Sequence, residues 1–225
     1  MASQAALISH YGYERDSASN IVKGAGLEWL MWDVTKGQSI SQALTNFSGW
    51  RLVTNVEMAK LFNAFEFGKT DWSSTETIHQ ESRLPWSDEE NSSTNHLLSL
   101  FGVTRIGAEC ASEEAIICIE PDEGIQGVTA LYGSDLNMDG YFMVADITDD
   151  YRMRWHAFND IVNYSGTAVI QGDYIKGADS FDGAGVALVR TPIVTPEQVS
   201  VSNSISLLTL GLALLGLLRR RTARR

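Results

Sequence analysis

GLEWLMWDVTKGQSISQALTNFSGWRLVT, residues 26–54, changes period twice within 29 residues. In its opening run Leu27, Trp29 and Met31 alternate with Glu28 and Leu30, the dense apolar pattern of a largely buried strand. The period then lengthens. Ile40, Ala43, Leu44 and Phe47 stand at i, i+3, i+4 and i+7 behind a serine able to cap, which predicts an amphipathic helix. Gly49 ends it, because a glycine enters the left-handed conformation of a helix terminus without a Cβ penalty. After the extended WRLVT a second helix is predicted, with Thr54 or Asn55 as N-cap, Glu57 in its first turn, and Val56, Leu61 and Phe62 among its apolar positions. Trp50 is placed to fill a helix–sheet junction, and Arg51 to pair with a carboxylate or cap carbonyls nearby.

Working outward, the body runs from residue 6 to 191 as one domain without an internal repeat. ALISHYGYER opens it with a strand-like stretch. Residues 70–94 are polar apart from Trp72, Ile78, Leu84 and Trp86 and read as a long loop, in which the two tryptophans either line a binding surface or pin the loop to the core. HLLSLFGVT, IICIE, GVTALYG, YFMVADI and GVALVRT supply strand candidates between turn residues, with a short helix around His96 to Phe101. Residues 192–204 form a polar linker in which Pro192 and Pro196 discourage regular structure.

With 225 residues, 44% of them hydrophobic, the chain can build a real core. Its formal net charge of −11 leaves no basic stripe for a phosphate backbone, which excludes nucleic acid as a partner. Cys110 and Cys118 are too few for a cysteine-only zinc site; they are either a short-loop disulfide or two separate thiols. The four histidines are scattered, and no HExxH, GxSxG or P-loop spacing occurs, so the body reads as non-enzymatic.

One stretch has cation-ligand spacing. DLNMDGYFMVAD, residues 135–146, puts Asp135, Asn137 and Asp139 at alternating loop positions, Gly140 at the sharp turn, the Tyr141 carbonyl next and Asp146 at the closing position. Oxygen ligands in that order suit calcium. The same residues also fit a β-hairpin in which Asp139 and Gly140 make the turn and the acids are solvated.

The chain's end belongs to another environment. Residues 205–218, extendable back to 199, carry no charge, and Arg219, Arg220, Arg221, Arg224 and Arg225 follow at once. Without those five charges residues 1–218 stand at −16. Up to 20 such residues reach roughly 30 Å as a helix, the thickness of a bilayer's hydrocarbon core. The expectation is a transmembrane or sorting helix over 205–218, a membrane stop at Arg219–Arg221 and a cytoplasmic tail over 219–225, with the acidic body outside. At the other end Ser3 and Ala5 suit the small-residue positions before a cleavage site, so residues 1–5 read as the remnant of a signal peptide or as an ordinary solvated terminus.

Two resemblances follow from these residues. The segment from Val194 to Arg225, with Pro196 and Glu197 on a Pro-Glu-Pro motif whose second proline is here Gln198, resembles the PEP-CTERM sorting signal, a profile also known as the ice-binding protein C-terminal domain. That resemblance implies a Gram-negative cell surface or envelope, an exosortase-type sorting enzyme and a setting of exopolysaccharide. Gly26, Leu27, Trp29 and Leu30, then Gly49, Trp50, Arg51, Leu52 and Thr54, then Gly185, Val189 and Arg190 resemble the Lcl-type extracytoplasmic domains, with Val53 where proline is usual. This second resemblance implies a C-type-lectin-like α+β fold: two helices around a small antiparallel sheet with long loops. The combined expectation is an exported, tethered, ligand-binding or structural domain whose partners are the membrane and an extracellular polysaccharide or surface ligand. The alternative is an extracytoplasmic enzyme of the formylglycine-generating type.

Overall fold

A computed structural model describes residues 5–73, 75, 79–85, 92–106, 117–118, 126–135, 138–149, 152–155 and 160–192. The chain divides into two units, Met1–Pro192 and Ile193–Arg225; the described residues lie in the first.

The stretch 26–54 folds around a six-stranded antiparallel sheet made of β1 (Leu7–His10), β2 (Tyr13–Asp16), β3 (Ile21–Gly24), β4 (Leu27–Leu30), β5 (Arg51–Leu52) and β14 (Leu188–Arg190), in the order β1-β2-β3-β4-β14-β5. Two of its hairpins close through two-residue loops, Tyr11-Gly12 and Ala25-Gly26, in which all four residues have φ between 52° and 80°. Positive φ at both central positions matches the right-handed twist of paired strands, and a glycine in second place lowers its cost. After β4 a single 3₁₀ turn, Trp32–Thr35, leads into α1 (Ile40–Asn46), and β5 leads into α2 (Asn55–Phe65). Both helices start on a reciprocal capping box. Ser39 and Gln42 form the first; Thr54 and Glu57 form the second, where the threonine side chain accepts from the Glu57 amide and the glutamate accepts from the Thr54 amide.

The three sequence blocks that carried the second resemblance meet at the β5 end of this sheet. Trp29 lies across from Val189 and Glu28 across from Arg190, while Leu188 and Val189 face Leu52 and Arg51. Arg190 donates to Glu28 at 2.7 Å, and its guanidinium sits 4.5 Å from the centre of the Trp50 ring. A strand from the far end of the body is thereby locked between two from its beginning.

The rest of the body corrects the expected fold class. In place of long loops around one small sheet, residues 79–186 build a second sheet of eight strands: β6 (His79–Pro85), β7 (Arg105–Ile106), β8 (Ile117–Cys118), β9 (Gln126–Tyr132), β10 (Tyr141–Asp149), β11 (Arg152–Trp155), β12 (Asp160–Lys176) and β13 (Gly185–Val186). Its pairings are antiparallel except β13 on β9. Among the described residues there are three α-helices, the third being α3 (Ser93–Phe101), against fourteen strands. The molecule is mostly β, not C-type-lectin-like α+β. The physical reason lies in β12. Its 17 residues mix Gly, Asn, Asp and Gln with apolar residues, so no local period marks it; its hydrogen bonds go to β10 and β11, in one register, on one side and to β6 on the other. Among the described residues no helix is long and apolar enough to cross a membrane. Residues 205–218, on which the expected membrane helix falls, lie outside the described residues.

Successive side chains of β9 and β10 point to opposite faces, and each face has its own core. Val128, Ala130, Met143, Ala145 and Ile147 join the inner faces of α2 and α3 together with Tyr13, Val22 and Trp29 of the first sheet. Phe101 is the hub, with Trp32 and Trp29 rings 5.0 and 6.0 Å from its own. Leu131 and Val144, on the opposite face, pack with Ile40 and Ala43 of α1 and with Val186 and Leu188.

Candidate functional site

The C-terminal end of β10 brings together titratable groups that the sequence holds far apart. Asp149 is only 6% exposed, and its carboxylate accepts from the hydroxyls of Ser92 at 2.8 Å and Thr94 at 2.7 Å. Ser92 is also the N-cap of α3, accepting from the Asn95 amide at 3.1 Å, so the helix start and the buried acid share one hydroxyl. One turn further along α3, His96 stacks on His10 of β1 with ring centroids 3.9 Å apart and planes within 15°. Tyr11, in the strained turn after His10, lies 5.8 Å from the His96 ring and 4.9 Å from Phe65.

Burial pushes the His96 imidazole below its ordinary value of 6.5; a charge on His10 pushes it the same way, and Asp149 pulls it back up. Burial lowers His10 as well. The His96 Nδ1 is buried without a hydrogen-bond partner, which disfavours the added N–H of the cation. Two imidazoles in contact, beside a buried carboxylate, meet at the junction of β1, α3 and β10. Sequence reasoning treated the histidines as scattered, and no sequence signal links them, because the β1–β2 hairpin and α3 meet only in the tertiary fold.

The cation-loop residues are not brought together as that reading required. Asp135 accepts backbone N–H groups from Asp139 at 2.9 Å and Gly140 at 3.0 Å, and Asp139 accepts from the Tyr141 amide at 2.8 Å, so both carboxylates brace the turn between β9 and β10. Asp146 stands in mid-strand, five residues beyond Tyr141 and about 17 Å along β10 at the usual strand rise. There it accepts both of its bonds to the Arg105 guanidinium, at 2.7 and 2.9 Å, together with the Thr129 hydroxyl, and Arg105 also donates to Thr148. Asn137 lies outside the described residues. Among the described residues no three His, Cys, Asp or Glu side chains are grouped to hold a metal.

Trp72 pins the segment after α2. It is buried, its backbone exchanges two hydrogen bonds with the Asn63 amide, and Lys69 covers its ring at 4.3 Å. Trp86 lies outside the described residues, as do Cys110, the sorting-motif residues Pro196 and Glu197, and the stop residues Arg219, Arg220 and Arg221; Cys118 falls on β8. Arg51 holds the Glu57 carboxylate in a two-pronged pair at 2.6 and 2.8 Å and also donates to the Leu52 carbonyl.

Comparison with protein-family models, curated proteins and solved structures finds no match to the chain. The formylglycine-generating alternative drew its support from a C-type-lectin-like fold, which the two sheets replace.

Proposed function

We propose that the chain is an exported bacterial surface or envelope protein, a non-enzymatic ligand-binding or structural domain delivered by residues 199–225 as its sorting and anchoring segment. One observation carries the reading: the charge step at Leu218, from a body at −16 to five arginines in the last seven residues, across 14 uncharged positions. The division of the chain supports it: among the described residues the last strand, β14, ends at Arg190 between β4 and β5, and the first compact unit ends at Pro192, ahead of that segment. The partners are the membrane, an exosortase-type sorting enzyme and, on the acidic body, an extracellular polysaccharide or other surface ligand.

The test is a topology fusion in a Gram-negative host. A reporter that works only outside the cytoplasm stays silent after Arg225 and becomes active when fused after Gln198. Removing residues 199–225 leaves a soluble acidic domain. Activity of the Arg225 fusion, or membrane fractionation of the truncated chain, overturns the proposal.

A further inference from the structure

The edge of the first sheet is held to the rest of the molecule by unequal means. Among the described residues β1 pairs with β2 alone, and residues paired across an antiparallel ladder share a face, so Ile8, His10, Tyr13 and Arg15 project to one side. β2 is firmly seated by that face. Tyr13 is 3% exposed among Trp29, Phe65 and Phe101, and Arg15 donates to the Ser99 carbonyl of α3 at 2.8 Å. Beyond its ladder to β2 and the two bonds between Ala6 and Ser17 at its start, β1 is held by Ile8 at the rim of the core and His10 flat on His96, with Leu7 turned outward and 68% exposed.

We propose that β1 is an acid-released latch, closed on α3 while the His10–His96 stack is neutral and opened when both rings are protonated. Two imidazolium ions with centroids 3.9 Å apart, half-buried, repel far more strongly than the same pair in water. Asp149, from β10, favours a first proton on His96, but its carboxylate already accepts from Ser92 and Thr94. The second proton must go onto a ring that faces a cation. The other charged group on the inner face of the hairpin, Arg15, is positive, while the neighbours from α2 and the turn are the Phe65 and Tyr11 rings. Burial lowers both imidazoles, so the unfolded or released segment binds protons more readily than the latched one. The contribution of the latch is therefore complete above about pH 6.5 and is lost as pH falls below it.

Opening leaves Tyr13 and Arg15 in place and bares the outer N–H and C=O groups of β2, so that acid creates an unpaired sheet edge.

The experiment is amide hydrogen exchange on the full chain in mild non-ionic detergent at pH 7.5 and 5.0, corrected for the intrinsic pH dependence of exchange. Protection of residues 7–10 is expected to drop by about tenfold or more in acid while β9 and β10 keep theirs. In His10→Phe, which retains a flat ring without a charge, β1 stays protected at both pH values. Unchanged protection of β1 in the wild type, an equal loss in β9 and β10, or the same loss in His10→Phe overturns the latch. Should the variant fail to fold, the wild-type ring resonances decide. His10 and His96 titrating together with the β1 amides supports the proposal, and rings that titrate while the β1 amides stand still refute it.

Discussion

Replacing Glu57 with glutamine separates the two jobs of that side chain. The new carboxamide oxygen still reaches the Thr54 N–H and preserves the capping box, but the charge that meets Arg51 is gone. In the wild type the Arg51 guanidinium is the largest influence on the Glu57 carboxyl, and with the Thr54 amide and hydroxyl it outweighs burial and brings the group from 4.5 down to about 2. Taken at full strength, that displacement is worth about 3 kcal/mol. Arg51 is half exposed, so solvent screening and the entropy of a long side chain reduce the figure to about 1–2 kcal/mol. A depressed carboxyl stabilises the fold fully above its unfolded value of 4.5 and loses that contribution as pH falls toward about 2. Urea denaturation of Glu57→Gln at pH 7 should therefore show a deficit of about 1–2 kcal/mol against wild type, shrinking to less than roughly half at pH 3. Equal stabilities at pH 7, or a deficit undiminished at pH 3, would refute the assignment of the stabilisation to the charged pair.

Gly185→Ala should cost more than about 3 kcal/mol or prevent folding, because its Cβ would stand 1.8 Å from the Trp32 carbonyl oxygen, a backbone atom that cannot rotate away; a near-wild-type urea midpoint would mean that the 3₁₀ turn can shift. Asp135→Ala removes the acceptor for two backbone N–H groups of the β9–β10 turn and should lower stability by about 1 kcal/mol, equally in calcium and in chelator. A loss seen only in calcium would return a cation to that turn.

How much of this protein was legible in advance depends on the range of the interactions involved. α1 and α2 were readable with their caps because a helix satisfies its hydrogen bonds within four residues, and Ser39, Gln42, Thr54 and Glu57 act on their own first turns. The Arg51 pair was legible for the same reason, Glu57 being a near neighbour in sequence, whereas Trp50 meets Arg190 from the far end of the body. Even there the environment had the last word: Val56, expected on the apolar side, is exposed, because Met58, Leu61, Phe62 and Phe65 define the buried face. The charge step at the chain's end is likewise a property of sequence alone. What the sequence could not carry is the second sheet, since the bonding partners of β12 are β6, β10 and β11 and lie up to about 90 residues away, and a strand without a partner has no local signature. The same holds for the chemistry. Asp146 became a partner of Arg105 and not a loop ligand, and His10 came to rest on His96, only because strands and helices distant in the chain were packed against one another, and packing, unlike periodicity, is decided by the whole fold.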